Sequence, residues 1–307
     1  MSTVGFWREL RQDNRDINIS SNRLGKINRV FYLFPQGNGP RGSFATFADL
    51  KPNLRSRDVV ILGGVLREQA VAPDDVYDVS IIGAANQPRQ ATSGGVPTGG
   101  GACWIAPTTP VATTPLLEIR SQGWSFENIE FTPVNASAAI RLTRSAVTDT
   151  IDAGHALFTG CYFAGNGGTT QIGIEDNGGC RSVAVQGCRF EGLGGTALLS
   201  LNTAAAVPLA WLIELNQFQQ NLNDIKMSLS YASILKNRFM TAGAGAANKV
   251  ISTTFIAAQG GNNQILLNQF SNTEAEIAPG SGYTGAASDT WMNYVNNQAA
   301  LAFGQPA

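Results

Sequence analysis

The sequence predicts an all-β fold made of many short strands, and three observations support this prediction. Gly supplies 34 of the 307 residues, and charged residues make up only 14%, against a usual value of roughly 25%. Short apolar runs alternate with clusters of Asn, Gly, Ser and Thr, as expected for strands joined by turns. A six-residue pattern also recurs along the chain. This combination favours a repetitive β-structure over a helical one.

The recurring pattern has apolar residues at its first and last positions, and the last is usually Phe. Its terminal Phe residues are 32, 27, 28, 21 and 31 positions apart, an uneven spacing that suits a solenoid with loops of different length. Two weaker copies are VYDVSI (76–81) and TWMNYV (290–295). The clear copies are FENIEF (126–131), FTGCYF (158–163), VQGCRF (185–190), IELNQF (213–218), ILKNRF (234–239) and ILLNQF (265–270).

A second apolar run lies between successive copies, and each run alternates with a period of about two residues. Alternation of this kind indicates a strand with one buried face. The runs are AAIRL (138–142), TQIGIED (170–176), TALLSLN (196–202), DIKMSL (224–229) and KVISTTF (249–255). Helical repeats would need a period of 3.6 residues. A single-stranded parallel β-helix explains why equivalent positions repeat in type, because successive coils stack about 4.8 Å apart.

This fold predicts three stacked columns. The first inward column holds Phe126, Phe158, Val185, Ile213, Ile234 and Ile265. The second holds Phe131, Phe163, Phe190, Phe218, Phe239 and Phe270, where offset ring stacking adds to burial. Between them runs a column of Ile129, Cys161, Cys188, Asn216, Asn237 and Asn268, in which stacked amides can hydrogen-bond.

A second register fits the turn between the two inward columns equally well. Gly and Asn tolerate left-handed φ. If the alignment slips by one residue between the early and late coils, the Gly residues of the early coils stack on the Asn residues of the late coils. That alternative turn column reads Asn128, Gly160, Gly187, Asn216, Asn237, Asn268 and Asn293. Both registers give the Cys and Asn residues a structural role.

The cysteines and the single histidine do not suggest metal or redox chemistry. Four cysteines are few for this length, so we expect no disulfide framework. His155 has no Cys within three residues, whereas zinc sites use closely spaced Cys and His ligands. We therefore expect neither a metal nor a cofactor. Cys161 and Cys188 should be reduced and should lie one above the other.

Residues 40 to 296 resemble the right-handed parallel β-helix family of pectin-lyase-like proteins. The segment 44–73 is similar to the family's entry segment, a short capping helix followed by the first coil strands, and 76–92 and 115–133 are similar to its early coils. Together with the basic composition of residues 1–35, the resemblance predicts three regions: a capping or attachment segment (1–35), a β-helix domain (36–298) and a short tail (299–307). Members include polysaccharide lyases, glycoside hydrolases, and spikes and decoration proteins of tailed phages.

The motifs of the enzymatic members do not match this chain. Galacturonan hydrolases of the family carry N-x-D, D-D, G-H-G and R-x-K in that order, but here His155 is followed by Ala and R-x-K is missing. No acidic cluster of the kind that lyases use for calcium is found on consecutive coils. The remaining catalytic candidates are the adjacent pair Glu175 and Asp176 and the loop acids Asp149 and Asp152. The non-catalytic interpretation of the pair is that it lies in a solvated turn.

The outward position before each Phe gives a polar column that could stack against a glycan. It begins at Glu130 and continues with the candidate ligand-binding residues Tyr162, Arg189, Gln217, Arg238 and Gln269. Such a column could also be an ordinary exposed face or a subunit contact.

The leading expectation is a virion structural protein of a tailed phage, a capsid-decoration or tail-spike-like subunit without catalysis. The alternatives are a polysaccharide lyase or glycoside hydrolase acting on bacterial surface glycans, and a non-catalytic glycan-binding module. We expect a homotrimer that contacts other virion proteins through residues 1–35. A net charge of −1 gives no general attraction to nucleic acid or to a membrane. With no secretion signal recognisable at its start, we expect synthesis in the host cytoplasm.

Overall fold

The structure is a computed structural model, and it describes residues 29–84, 101–133, 137–145, 151–165, 170–200, 207–240, 251–252, 261–270, 283–284, 288–295 and 298–300. Within these ranges the chain forms a parallel β-helix with three faces, so the predicted fold class is confirmed. Most of the predicted segment 1–35 and of the tail 299–307 lies outside the described residues, and the domain boundaries stay predictions.

Each face is a ladder of parallel strands, one from each coil. Face 1 comprises β1 (Val30–Leu33), β2 (Val59–Leu62), β5 (Ser80–Gly83), β8 (Ser125–Glu127), β11 (Leu157–Thr159), β14 (Ala184–Gln186), β17 (Leu212–Glu214) and β20 (Ser233–Leu235). Face 2 comprises β3 (Val65–Arg67), β6 (Cys103–Ile105), β9 (Glu130–Thr132), β12 (Tyr162–Ala164), β15 (Arg189–Glu191), β18 (Gln217–Gln219) and β21 (Arg238–Met240).

Face 3 is a separate sheet formed by the second apolar run of each unit. It comprises β4 (Ala70–Val71), β7 (Leu117–Ile119), β10 (Ala138–Thr143), β13 (Ile172–Asn177), β16 (Thr196–Ser200), β19 (Asn223–Lys226), β22 (Ile251–Ser252) and β24 (Tyr283–Thr284). In the last coils β23 (Gln264–Phe270) and β25 (Thr290–Val295) extend across faces 1 and 2. β26 (Gln298–Ala300) then pairs antiparallel with β25.

A short helix lies at the start of the solenoid, as the resemblance of segment 44–73 implied. Helix α1 spans Phe47–Leu50 and is followed by a 3₁₀ turn, Lys51–Asn53. The Thr46 hydroxyl accepts a hydrogen bond from the Asp49 amide, which is a standard N-cap. The Glu68 carboxylate accepts two more, from the Phe47 and Ala48 amides. The apolar side of α1, Phe47 and Leu50, is buried in the main core.

The strand registers confirm both predicted inward columns. Phe158 pairs with Phe126 below and Val185 above, and Ile213, Ile234 and Ile265 continue this column. The Phe131-to-Phe270 column is equally continuous, because its members pair directly on face 2. Its rings are almost parallel, with centroids 4.6 to 5.2 Å apart, so stacking adds to the free energy gained by burial.

The chain turns the predicted corner between faces 1 and 2 at the middle of each clear copy. The first five copies lie on two strands each, whereas ILLNQF lies within the single strand β23. One detail of the repeat differs from the sequence prediction: the copy VYDVSI is aligned wrongly, since Ile81 pairs with Phe126 on face 1 rather than preceding Phe131. On face 2 the Phe column is preceded instead by Trp104. A repeat aligned by residue type alone cannot reveal which side of a corner an isolated apolar residue occupies.

The left-handed residues of this corner decide between the two registers. They are Asn128, Gly160, Gly187, Leu215, Lys236 and Leu267, with φ between 53° and 61°. The alternative register, with its one-residue slip onto Asn216, Asn237 and Asn268, is therefore wrong. These Asn residues occupy the next position, stacked above Cys161 and Cys188, where their side chains are buried. The residue that needs left-handed φ is accordingly Leu or Lys in the late coils.

Candidate functional site

The predicted ligand-binding column is a continuous row on face 2. Tyr162 pairs with Arg189, Arg189 with Gln217, Gln217 with Arg238, and Arg238 with Gln269. Glu130 precedes Tyr162 in the same row. The two ends of the row differ, however, because Glu130 and Tyr162 are buried whereas Arg238 is exposed.

The early half of this row is tied together by Glu191, a residue that the sequence analysis did not single out. The Tyr162 hydroxyl donates to Glu191 Oε2 at 2.7 Å, and Arg189 Nη2 lies 2.7 Å from the same oxygen. The Arg189 guanidinium also lies 5.4 Å from the centroid of the Tyr162 ring. Burial, followed by the hydrogen bond to Glu191, raises the pKa of Tyr162 well above its usual range. The phenol is therefore a neutral donor, and Arg189 is held by an ion pair.

Strand alternation is the signal that could have identified Glu191. It lies two residues after Arg189 on β15 and so points to the same outer side. Gln219 occupies the equivalent place on the next coil. Its Oε1 accepts hydrogen bonds from Gln217 Nε2 at 3.2 Å and from Arg189 Nη2 at 3.3 Å. The outer surface of face 2 is thus two polar columns wide at this level.

The late half of the row contains an arginine that a ligand could reach. Arg238 is exposed on β21 and forms no ion pair with any described residue. Gln217 and Gln269 flank it in the adjacent strands and are both partly exposed. An exposed guanidinium that forms no ion pair within the described part of the chain can bind a carboxylate in a bidentate fashion.

The adjacent acids Glu175 and Asp176 point to opposite sides of β13, so their carboxylates do not face a common site. Glu175 lies on the outer side of face 3, where Arg141 Nε on the neighbouring strand is 2.5 Å from its Oε1. The Glu175 side chain is only 2% exposed. Asp176 points inward, where its carboxylate accepts hydrogen bonds from the Gly179 and Cys180 amides at 3.0 and 2.7 Å.

This arrangement gives both carboxylates structural roles. Glu175 is neutralised by Arg141, and Asp176 stabilises the turn that follows β13. The prediction of a solvated turn for this pair is wrong, since both side chains are buried. The pairing with Arg141 could not be seen in the sequence because the register of face 3 was not known. Of the loop acids, Asp152 lies 3.7 Å from Arg144 and accepts a hydrogen bond from the Gly154 amide. Asp149 lies outside the described residues.

The four cysteines are buried and unoxidised. Cys188 lies directly over Cys161, and their thiols face the Phe158 and Phe126 carbonyl oxygens at 3.5 Å. Burial, followed by the neighbouring Cys161 thiol, raises the pKa of Cys188. Burial also raises the pKa of Cys180. A buried, protonated thiol is a poor nucleophile, so Cys180 and Cys188 serve packing rather than chemistry.

Asp224 is a buried acid that the sequence did not bring to attention. Asp224 on β19 is fully buried, and burial raises its pKa to about 7. Its Oδ1 accepts a hydrogen bond from Asn221 Nδ2 at 3.0 Å, whereas Oδ2 has no hydrogen-bond partner. Because DIKMSL was predicted to be a strand with one buried face, burial of the acid at its first position could have been considered from the sequence.

Within the described ranges, no three His, Cys, Asp or Glu side chains cluster closely enough to hold a metal ion. The same part of the chain contains no helix long and apolar enough to cross a membrane.

Comparison with known proteins identifies the fold but no family. No family model matches the sequence, and no curated protein matches it. Among solved structures, a pectin methylesterase from Aspergillus niger is similar over 89% of this chain and 86% of its own, with a TM-score of 0.53 and 15% identity. The Escherichia coli protein ybhc is similar over 87% and 84%, with a TM-score of 0.50 and 11% identity.

A phage structure also appears among the matches, at a lower level of similarity. The Dettilon tailspike protein matches 78% of this chain and 54% of its own, with a TM-score of 0.38 and 12% identity. Identities this low show a shared fold rather than a shared activity. The stacked registers and the likeness to the pectin methylesterase together show that the chain has the right-handed parallel β-helix fold.

Proposed function

We propose that this chain is a non-catalytic structural subunit of a tailed-phage virion, of the capsid-decoration or tail-spike-like type. The proposal rests on the observation that the carboxylates Glu175 and Glu191, on the outer side of the solenoid, are bound by neighbouring side chains. Glu175 is paired with Arg141, and Glu191 is bound by both Arg189 and Tyr162. Glycoside hydrolases need two carboxyl groups roughly 5 to 9.5 Å apart, with one free to exchange a proton.

The assembly proposed for this subunit is a homotrimer that attaches to other virion proteins through residues 1–35. This segment holds six of the 21 basic residues and three of the 22 acidic ones. An excess of positive charge in a nearly neutral chain suits a contact with an acidic protein surface. The proposed virion location rests on this proposed attachment and not on the fold.

The competing enzymatic function is a polysaccharide lyase or glycoside hydrolase acting on bacterial surface glycans. A direct test incubates the intact chain with capsular and O-antigen polysaccharides and with pectin, and measures new reducing ends and unsaturated uronate. We expect no product. Release of oligosaccharide by the wild-type chain that is lost in Glu175→Gln would overturn the non-catalytic proposal. Asp75→Asn, an exposed acid in an early turn, is the matched control.

Glycan binding without cleavage is a second candidate function, favoured by the position of Arg238. Its exposed guanidinium lies between Gln217 and Gln269 on a flat row of strands, which suits an acidic polysaccharide lying along the solenoid. We expect Arg238→Ala to weaken binding about tenfold, because a charge-assisted hydrogen bond contributes roughly 1.5–3 kcal/mol. Arg67→Ala removes an exposed arginine from the same face near its start and should leave binding unchanged. Equal affinity of all three proteins would exclude this site.

A further inference from the structure

The corner between faces 1 and 2 carries an exposed apolar stripe in the last four coils. Leu215 and Leu267 are 59% and 39% exposed, and Met292 is 37% exposed. Leu235 and Leu266, in the adjoining column, are partly exposed and are joined to Met292 by direct strand pairing. We call these five residues the late stripe.

The same positions are polar or Gly in the three preceding coils. They are occupied there by Glu127 and Asn128, Thr159 and Gly160, and Gln186 and Gly187. Strand pairing alone therefore does not require an apolar residue at these positions. The change from polar to apolar residues begins at the coil that contains Leu215.

Backbone conformation makes the leucines harder to explain as ordinary surface residues. Leu215 and Leu267 have φ of 58° and 59°, a conformation that costs a residue with a Cβ roughly 1–2 kcal/mol. Gly or Asn would fit at lower cost and would also be more soluble. Neither folding nor solubility of a monomer therefore accounts for leucine at these two positions.

Charge and geometry indicate what covers the late stripe. Lys236 lies between Leu215 and Leu267 in the corner column, and its Nζ is 3.3 Å from Glu214 Oε1. This ion pair leaves the stripe without net charge. A residue near a rotation axis contacts the same residue of the neighbouring subunits. Leucine can pack against leucine there, whereas an unpaired charge would be repelled by its equivalent. The stripe is also straight and parallel to the solenoid axis, about 14 Å long for four coils.

We propose that the late stripe is the surface through which copies of this chain associate, side by side and parallel, around an axis that runs along the solenoid. This inference rests on the homotrimer of the proposed function and names its contact surface. A straight apolar stripe on parallel copies buries the same residues on each subunit. Association would remove Leu215 and Leu267 from water and so offset the cost of their left-handed backbone.

The test uses the double variant Leu215→Asn/Leu267→Asn of the full chain. Asn accepts left-handed φ, so the monomer should fold at least as well as the wild type. We expect the wild type to be trimeric by analytical ultracentrifugation at micromolar concentration, and the double variant to associate at least 100-fold more weakly. Leu222→Asn changes an exposed leucine outside the late stripe and should leave association unchanged.

Cross-linking provides a second measurement that does not depend on the double variant. Under diamide, Leu267→Cys should form disulfide-linked dimers, because equivalent residues meet near the axis, and Leu222→Cys should not. A monomeric wild type, or an unchanged assembly in the double variant, would overturn the proposed surface. Either result leaves the virion role intact, since that role is measured by the presence of the chain in particles.

Discussion

The early and late coils of this solenoid turn the same corner with different residues. In the coils of Cys161 and Cys188, the left-handed position is Gly160 or Gly187, and the buried position that follows is Cys. In the late coils the buried position is Asn, and the left-handed position is Leu or Lys. The backbone follows the same path in both regions. The regions differ in which side chains form hydrogen bonds with the main chain at the corner.

From Cys161 onward, a side-chain donor occupies the same place at the corner of each coil. Cys161 and Cys188 direct their thiols at the Phe126 and Phe158 carbonyl oxygens. In the late coils this role passes to the side-chain amides of the Asn ladder, which donate to main-chain carbonyls at 2.8 to 2.9 Å. The ladder consists of Asn216, Asn237, Asn268 and Asn293.

Only Asn also supplies an acceptor. Asn237 Oδ1 receives both the main-chain amide and the side-chain amide of Asn216, and Asn268 does the same for Asn237. Each Asn thus fixes the corner of the preceding coil as well as its own. This additional bonding stabilises the corner in the coils where leucine or lysine adopts left-handed φ, whereas the two Cys coils have Gly at that position.

The largest difference between the two regions should appear on removing the side chains of the buried column. Asn237→Ala leaves two Asn216 donors and the Ile213 carbonyl without partners. Each unsatisfied buried group costs about 1–3 kcal/mol, so we expect the free energy of unfolding to fall by about 4 kcal/mol in urea titrations. Cys188→Ala, the matched change in an early coil, should cost only about 1 kcal/mol. Equal losses would contradict the distinction between the two halves.

The second prediction concerns a shorter amide ladder that ends on an acid. Asn221 donates to the Phe190 carbonyl and to Asp224 Oδ1, and it accepts from the Leu193 amide. Burial raises the pKa of Asp224 to about 7, from about 3.9 in an unfolded chain. The folded state therefore binds a proton that the unfolded chain loses, and stability should decrease as pH rises from about 4 to about 7.

Asp224→Asn keeps the acceptor for Asn221 and removes the ionisable group. We expect the variant to be more stable than the wild type by about 3 kcal/mol at pH 8 and nearly equal to it at pH 4. Urea unfolding at both pH values measures the difference. A wild-type stability that rises between pH 4 and 7, with no change in slope in the variant, would show that Asp224 does not titrate in this way.

The third prediction is a smaller effect at the left-handed position itself. A Cβ added at Gly187 meets no atom closer than 4.0 Å, so Gly187→Ala tests backbone conformation alone. We expect a loss of about 1 kcal/mol. Gly187→Asn should lose less than half as much, since Asn adopts left-handed φ more readily. A neutral alanine variant would mean that Gly was not needed at this corner.

The smallest expected effect is on thiol reactivity. Cys188 and Cys161 are buried, and burial raises the pKa of Cys188. Iodoacetamide should therefore leave both thiols unlabelled in the native chain for hours and should label all four cysteines in urea. Mass spectrometry of tryptic peptides gives the result directly. Rapid native labelling of Cys188 would place it on the surface, contrary to the stacked column.

The sequence predicted the columns well because a repeated environment selects a repeated residue type. The stacked Phe residues and the Cys-to-Asn column were visible for this reason. The position of the left-handed turn was not decided, because Asn satisfies either a left-handed backbone or a buried amide ladder. Leu215 and Leu267 in left-handed φ contradict the usual preference and could be located only from the backbone.

The candidate site was predicted only in part. Alternation correctly placed Tyr162, Arg189, Gln217, Arg238 and Gln269 in one row, since strand period alone determines that side. It did not reveal that Glu191 binds both Tyr162 and Arg189. It also gave no register for face 3, and so the pairing of Glu175 with Arg141 was missed. Contacts between coils depend on loop lengths that vary from unit to unit.

The most direct test of the proposed role is quantitative mass spectrometry of purified particles produced from the genome that encodes this chain. The account predicts that the chain is present in particles, at a copy number that is a multiple of three and in fixed ratio to the other structural proteins. Particles that contain those proteins but lack this chain would contradict it.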